Sequence, residues 1–267
     1  WRAVDRRRGS GDAGHVGRKD RGGMSDDGQG EQLRELALFA GAGGGILGGH
    51  LLGWRCVCAV ELEDYPRRVL LARQRDGMLP RFPIWDDVTT FDGTAWRGRV
   101  DVISGGFPCQ DISTAGGPNR RGLQGKRSGL WTEFARIISE VQPSFVFVEN
   151  SPALTFRGIG IILGDLASLG YDARYGVFSA GDIGARHKRE RLWIVANHRD
   201  AIEDSAQPKR RIYEPSEKSV RAMSEGISSV PEMGRKADGL AHWMDRLAAI
   251  GNGQVPAVAA LAWRVLA

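Results

Sequence analysis

The segment ELALFAGAGGG, residues 35–45, is an apolar run that leads directly into a cluster of glycines. Such a pattern predicts a buried strand over 35–41, a tight turn and the start of a helix. Gly41, Gly43 and Gly44 have no Cβ, so the backbone can turn sharply there and a ligand can approach it closely. The segment therefore predicts a ligand-binding turn at one end of a strand.

The sequence after this turn supports a nucleotide-type ligand. A second strand is predicted over 55–61, and its last residue, Glu61, stands about 20 positions beyond the glycines. A carboxylate at that position suits hydrogen bonds to ribose hydroxyls. A dinucleotide and S-adenosylmethionine both contain an adenosine, so the pattern leaves the choice between them open.

Strands and helices alternate from residue 35 to residue 196. Besides the two strands above, the apolar runs predict strands over 99–106, 144–150, 173–180 and 191–196, and the amphipathic runs predict helices over 64–75, 128–141 and 158–170. This alternation is typical of the α/β class. It predicts a mostly parallel, twisted sheet with helices on both faces.

Composition excludes some classes of protein. The chain has 267 residues and a formal net charge of +5, which permits a nucleic-acid partner without proving one. It has no apolar run of about 18 residues, so no membrane span is expected. Its three cysteines argue against a disulfide framework, and no His/Cys spacing fits a zinc site. We therefore expect no metal and a reducing, cytoplasmic setting.

Changes in residue composition and apolar periodicity divide the chain into four parts. Residues 1–30 lack apolar periodicity and are rich in Arg, Gly and Asp, which is typical of a disordered tail. Residues 31–196 carry the strand and helix pattern. Residues 197–239 are polar and predict a small insert, and residues 240–267 return to a helical pattern.

The start of the chain allows two interpretations. The chain begins with Trp1, whereas Met24 stands just before the folded pattern, so we expect residues 1–23 to lie outside the natural protein. The alternative is a basic arm that tethers DNA. An unchanged DNA affinity after deletion of residues 1–23 would exclude the arm.

The segment GGFPCQDIS, residues 105–113, places Cys109 just beyond the end of a predicted strand. In open α/β sheets ligands bind at that edge, and Pro108 stiffens the approach to it. A loop rich in glycine and basic residues follows over 114–129, which is typical of a mobile functional element. On spacing alone, Cys109 is either a nucleophile or a packing residue.

Two further motifs place charged residues at strand ends. Glu149 ends the apolar segment FVFVEN, where apolar surroundings would raise the pKa of its carboxyl and let it donate a hydrogen bond. A helix cap or a surface ion pair is the alternative role. Arg189 and Arg191 stand two apart at the start of a predicted strand and share a face, although a solvated face is the usual role of such a charge run.

Together these motifs resemble the DNA cytosine-5 methyltransferases. The resemblance covers roughly residues 34–196 and 240–267, and it rests on FAGAGG, GGFPCQDIS, ENSPAL, RHKRERLWIV and GNGQVP, which occur in the family's order. The pairing of PCQ with EN at this spacing is highly specific. Because the polar region 197–239 is short, the chain is most similar to compact, phage-like members of the family.

The resemblance implies a Rossmann-like, S-adenosylmethionine-dependent methyltransferase fold with residues 197–239 as a small target-recognition insert. It implies that S-adenosylmethionine is bound by Phe39, Gly41, Gly43, Gly44, Glu61, Asp87, Gly106, Pro108, Leu130 and Asn252. It implies a catalytic set of Cys109, Glu149, Arg189 and Arg191. The residues expected to contact DNA are Gln110, Ser113, Arg121, Lys126 and Arg127.

The activity that the resemblance implies is transfer of a methyl group from S-adenosylmethionine to C5 of cytosine in a specific double-stranded DNA sequence. The Cys109 thiolate would add to C6 of a flipped-out base, Glu149 would hold the base, and Arg191 would contact O2 with support from Arg189. The expected enzyme is a monomeric DNA (cytosine-5-)-methyltransferase of a restriction–modification or phage system, in the cytoplasm of a bacterial or phage-infected cell.

Three other functions are compared with this one. An RNA cytosine-5 methyltransferase of the same fold would carry a Cys-Phe-Thr segment, which this sequence lacks. A non-catalytic DNA-binding relative would not need Cys109, Glu149 and the arginine pair intact. A nicotinamide-dependent dehydrogenase would fit the glycine turn but would not explain PCQ or EN.

Overall fold

A computed structural model describes residues 32–108, 129–199 and 253–267 of the protein. The strands are β1 (Arg34–Leu38), β2 (Arg55–Val60), β3 (Ile84–Trp85), β4 (Val102–Gly105), β5 (Phe145–Asn150), β6 (Tyr171–Phe178) and β7 (Arg191–His198). The helices are α1 (Gly44–Leu51), α2 (Asp64–Arg75), α3 (Leu130–Val141), α4 (Leu154–Arg157), α5 (Ile159–Ser168) and, in the last described range, α6 (Pro256–Leu266). Short 3₁₀ helices span Val88–Thr90, Thr94–Trp96 and Ala180–Ile183.

These strands form one seven-stranded sheet in the order β3-β2-β1-β4-β5-β7-β6. Neighbouring strands from β3 through to β5 pair in parallel, whereas β7 is antiparallel to both β5 and β6. The predicted α/β fold with a mostly parallel sheet is therefore confirmed. Because β7 runs in the opposite direction, it begins at the edge where β4 and β5 end.

Helices cover both faces of the sheet, as the alternation predicted. Side chains alternate along each strand, so Leu36 and Leu38 of β1 pack in the cluster that contains α3 and α5. Ala37, between them, packs on the other face with α1 and α2. On that second face, α6 covers β4, β5 and β7, and Trp263 lies edge-on to Phe147 with ring centroids 5.4 Å apart.

Glycines in α1 let α6 lie unusually close. A Cβ on Gly48 would lie 2.8 Å from the Cβ of Ala259, and one on Gly44 would lie 2.3 Å from the backbone oxygen of Gln254. Glycine lowers helix stability, but here it permits this contact. As a result, the residues that precede α6 reach the glycine turn after β1.

The structure differs from the sequence prediction in several element bounds. The first strand ends at Leu38 rather than at residue 41, because Phe39 takes a left-handed conformation with φ of 52°. The two-residue strand β3 was not predicted, since so short a segment carries no periodicity. The last predicted strand continues to His198. No helix within the described ranges is long and apolar enough to cross a membrane.

The carboxyl group of Glu35, on β1, is buried, and the sequence analysis did not identify it. Glu35 is only 1% exposed, and its Oε1 accepts a hydrogen bond from the Ser104 hydroxyl of the neighbouring strand. Its Oε2 is buried and has no hydrogen-bond partner among the described residues. Burial raises the pKa of Glu35 to about 8. The folded protein therefore holds this carboxyl protonated at neutral pH.

Glu35 is expected to make the protein less stable as the pH rises. The pKa of its carboxyl is about 8 in the folded state and near 4.5 when solvated. Between pH 4.5 and pH 8, unfolding therefore releases a proton, so a higher pH favours unfolding. Over this whole pH range, the titration of Glu35 lowers the free energy of unfolding by about 5 kcal/mol. In urea unfolding, we expect Glu35→Gln to remove most of the decrease in the free energy of unfolding that the wild type shows between pH 5.5 and pH 8.5. The exposed Glu63→Gln is the control, and an equal pH dependence in the wild type and Glu35→Gln would contradict the prediction.

Candidate active site

A cleft opens at the edge of the sheet where β1, β4 and β5 end. It encloses an empty volume of about 380 Å³, part of which is open to solvent. It is lined by Ala37, Leu38, Phe39, Ala40, Gly41, Gly45, Ile46, Ser104, Gly105, Gly106, Glu149, Gly253 and Gln254. Glycine-rich backbone forms much of one wall, and the carboxyl of Glu149 lies at the other side.

The turn after β1 has an unusual backbone conformation. Phe39 has a φ of 52°, which is rare for a bulky side chain, and Gly41 and Gly43 have φ values of 54° and 90°. The Gly41 N–H donates to Oε2 of Glu61 at 2.6 Å, which closes the turn onto the end of β2. The strained turn thus holds its backbone amides next to the cleft.

Glu61 is nearly buried at this turn. Its Oε1 also accepts a hydrogen bond from the Glu63 N–H at 2.8 Å, and burial raises the pKa of its carboxyl. The contact between Glu61 and Gly41 agrees with the pairing of acid and glycine turn that the sequence indicated. Backbone amides hold both carboxylate oxygens in position.

Several other predicted residues are not among those that line the cleft. Asp87 begins the 3₁₀ helix after β3, where its Oδ1 accepts from the Thr89 N–H and hydroxyl, and these bonds lower the pKa of its carboxyl. Leu130 is the first residue of α3 and packs against the core, and Pro108 is exposed. The remaining predicted site residues lie outside the described residues: Cys109, Gln110, Ser113, Arg121, Lys126, Arg127 and Asn252.

Glu149 is a buried carboxyl that interacts with two arginines and a glutamine. It is 9% exposed near the end of β5, and its Oε1 pairs with Nε of Arg191 at 2.8 Å. Burial raises the pKa of Glu149, whereas Arg191, Arg189 and a hydrogen bond from Gln254 lower it, and the net result is a pKa of about 7. This carboxyl can therefore gain or lose a proton near neutral pH.

The arginine pair reaches Glu149 because β7 is antiparallel. In the register of β5 and β7, Asn150 pairs with Leu192, so Arg191 begins β7 beside the end of β5. Arg189 adopts a left-handed backbone with φ of 37°, and its Nη2 donates to the backbone oxygen of Gly253. Burial and the neighbouring Arg191 lower the pKa of Arg189.

Gly106 lies where the cleft meets the segment that leads to Cys109. A Cβ at Gly106 would lie 2.6 Å from Oε2 of Glu149 and 3.1 Å from Nε2 of Gln254. A side chain here would displace one of these groups. The absence of a Cβ at this position is therefore required by the arrangement of Glu149.

Sequence reasoning missed Gln254. It lies in the quoted motif GNGQVP, but only Asn252 was assigned a role there. In the structure Gln254 lines the cleft and hydrogen-bonds to Glu149. Its position two residues after Asn252 was the only signal, because a half-buried glutamine has no characteristic pattern.

The geometry can now be compared with known proteins. A sequence model of the family described as C-5 cytosine-specific DNA methylase matches residues 33–252. The chain belongs to this family. The predicted resemblance to the DNA cytosine-5 methyltransferases is confirmed.

Curated relatives from bacteria support this membership. The Type II methyltransferase M.PspPI of Psychrobacter is 35% identical over 183 residues, which cover 67% of this chain and 42% of that protein. M.Eco47II of Escherichia coli is 34% identical over 174 residues, which cover 62% of this chain and 39% of that protein. The chain thus spans less than half the length of these two relatives.

Solved structures show the same fold. A candidate DNA modification methyltransferase encoded within an E. coli prophage is 26% identical with a TM-score of 0.52, and the match covers 63% of this chain and 47% of that one. A Spodoptera frugiperda DNMT2 mutant is 15% identical with a TM-score of 0.51, covering 62% of this chain and 50% of that one. In the parts of this chain that the structure describes, no group of three or more His, Cys, Asp or Glu side chains could hold a metal ion.

Proposed function

We propose that the protein transfers a methyl group from S-adenosylmethionine to C5 of cytosine in a specific double-stranded DNA sequence. The observation that carries the proposal is the buried Glu149 carboxyl, with a pKa of about 7, paired with Arg191 beside the glycine-rich cleft. In the sequence, Cys109 comes four residues after the end of β4, and β4 is the neighbour of β5, which carries Glu149. A nucleophile, an acid and a cofactor cleft are what this reaction needs.

The residues of the cleft fit S-adenosylmethionine. The glycine turn has room for a ligand where a Cβ on Gly41 would meet no atom within 4 Å. Glu61 has a carboxylate within hydrogen-bond distance of this turn and would bind the ribose hydroxyls, and Asp87 would take the adenine amino group. When bound, S-adenosylmethionine would supply an electrophilic methyl group on its sulfonium sulfur.

The chemistry explains why a cysteine and an acid are needed. Cytosine C5 is a poor nucleophile until the Cys109 thiolate adds to C6. The new S–C6 bond moves the C5=C6 electron pair toward C4 and N3, so that C5 becomes enamine-like and could bond to the methyl carbon as the methyl–sulfonium bond breaks and leaves its electron pair on sulfur. Loss of the C5 proton then returns an electron pair to the ring, and the S–C6 bond breaks to release Cys109.

Glu149 relieves the charge that this addition places on the ring. In its protonated form it donates to N3, and its other oxygen accepts from the exocyclic amino group. Burial favours the protonated form, and the pKa near 7 keeps that form populated at neutral pH. Arg191 holds Oε1 of Glu149, and we assign it also to O2 of the base, with Arg189 supporting it.

The target base lies inside a duplex and must be flipped out to reach Cys109. The basic residues Arg121, Lys126 and Arg127 would contact phosphates, and Gln110 and Ser113 would lie next to the base site. The target sequence would be read by residues 197–239.

Bisulfite sequencing of a plasmid from cells that express the protein tests the proposal. We expect cytosines within one sequence context to resist conversion, and the same plasmid from cells expressing Cys109→Ser to convert fully. Complete conversion with the folded wild-type protein would refute DNA cytosine methylation. Transfer of labelled methyl groups to transfer RNA but not to DNA would favour the RNA enzyme instead.

A further inference from the structure

We propose that Gln254 is a positioning residue that orients the Glu149 carboxyl toward the target base and links the cofactor cleft to the catalytic acid. This inference rests on the proposed function. It concerns a residue to which neither the family resemblance nor the sequence analysis assigned a role.

The Gln254 carboxamide lies between the cofactor turn and the catalytic acid. Its Oε1 is 2.3 Å from the position that a Cβ on Gly45 would occupy, and its Nε2 is 3.1 Å from the corresponding position on Gly106. The side chain hydrogen-bonds to Glu149. Two glycines on different elements therefore make room for one amide group.

The backbone of Gln254 is held by rigid elements. Its carbonyl packs on Gly44 at the start of α1, and α6 begins two residues later at Pro256 and rests on Gly48. The preceding residue, Gly253, accepts a hydrogen bond from Arg189. A side chain fixed on both sides in this way can position a partner within a few tenths of an ångström.

The Glu149 carboxyl has two hydrogen-bond partners, Arg191 and Gln254. Oε1 is held by Arg191, and Oε2 lies on the side of Gly106 that also faces Nε2 of Gln254. The terminal torsion of a glutamate is broad, so a carboxyl with one partner could rotate. Hydrogen bonds from both Arg191 and Gln254 restrict this rotation and hold the plane of the carboxyl toward the base.

A structural role alone would not change the titration of Glu149, whereas the proposed role would. The charged groups that face Glu149 are Arg191, the first residue of β7, and Arg189, which precedes that strand; Gln254 faces it from the α6 side, and Gly106 adds no side chain. The Cys109 thiol lies outside the described residues. The hydrogen bond from Gln254 lowers the pKa of Glu149, so its removal is expected to raise that pKa.

The test compares Gln254→Met with Gln74→Met. Methionine keeps the length of the side chain but cannot donate. Gln74 is a matched control, because its Nε2 also donates a hydrogen bond, at 3.1 Å to the Phe82 carbonyl, and neither residue lines the cleft. We expect Gln254→Met to lower kcat by roughly 10- to 100-fold, with KM for S-adenosylmethionine changed by less than about threefold. Its alkaline limb of kcat/KM should move to higher pH, and Gln74→Met should match the wild type.

A second measurement does not depend on turnover. The Glu149 carboxyl carbon can be titrated by NMR in protein labelled with ¹³C-glutamate, with Glu149→Gln used to assign its signal. We expect the midpoint to move to higher pH in Gln254→Met. If that variant does not fold, Gln254→Asn retains the amide but shortens its reach, and we expect the same shift.

The outcomes separate this inference from the proposed function. A wild-type kcat and pH profile in Gln254→Met, with the wild-type enzyme methylating DNA, would overturn the positioning role alone. An unchanged Glu149 midpoint would overturn it even if the wild type methylated nothing. Absence of methyl transfer by the wild type, with the midpoint shifted as expected, would instead refute the proposed function and leave the contact in place.

Discussion

Replacement of Cys109 by serine is expected to reduce methyl transfer to plasmid DNA by at least ~1,000-fold while leaving S-adenosylmethionine binding intact. A serine hydroxyl has a far higher pKa than a thiol and is a poor nucleophile toward C6 without a dedicated base. The cleft that would bind the cofactor is built from β1, β4 and β5 and does not need the sulfur. Transfer of tritiated methyl groups measures the first effect, and isothermal titration calorimetry measures the second.

Cys58→Ala is the matched control for this substitution. Cys58 lies buried in β2, and burial raises the pKa of its thiol to about 12, so it remains protonated at neutral pH. We expect Cys58→Ala to methylate DNA at a rate close to that of the wild type.

A DNA substrate whose target cytosine carries fluorine at C5 cannot lose a C5 proton. Its covalent adduct should therefore accumulate on Cys109, where mass spectrometry can map it. Normal turnover by Cys109→Ser would remove this residue as the nucleophile.

Glu149→Gln is expected to lower kcat by roughly 100- to 1,000-fold and to leave DNA affinity within about fivefold of the wild type. Glutamine keeps the size of the side chain but has no acidic proton to donate to N3. It also leaves Arg191, now 2.8 Å from Oε1, without a charged partner. The effect should therefore fall mainly on the chemical step.

The pH dependence of this variant supplies a further check. The pKa of Glu149 is about 7, so the protonated carboxyl is present below that pH and is lost above it. The wild-type kcat/KM should decline on the alkaline side of about 7, and Glu149→Gln should lack this decline. Glu133→Gln on α3 is a suitable control, because its half-buried carboxyl pairs with Arg136 and is not among the groups that shift the pKa of Glu149. A variant that loses DNA affinity and keeps its kcat would show that Glu149 acts in binding only.

Much of the fold could be predicted because its signals are local. The glycine turn, the amphipathic helices and the apolar strands each depend on a few consecutive residues, and all of these elements appear near their predicted positions. The errors occur where local signals are weak or misleading. Phe39 continues an apolar run, yet its left-handed φ of 52° ends β1 before it.

The candidate site was predictable only in part. Motif order identified Glu61 and Glu149, because each ends a strand whose apolar pattern is clear, and strand ends meet at one edge of an open sheet. Glu35 could not be identified, because an acidic residue at the start of a predicted strand gives no indication that its carboxyl will be buried against Ser104.

The local sequence was sufficient for the α/β class and for the glycine turn after the first strand, since these follow from side-chain periodicity and residue type. It could not show that β7 is antiparallel, and that direction places Arg191 against Glu149. Nor could it show that α6 packs on the glycines of α1 and carries Gln254 to the same carboxyl. Both contacts join residues more than 40 positions apart, so they depend on how the sheet and helices pack rather than on any local pattern.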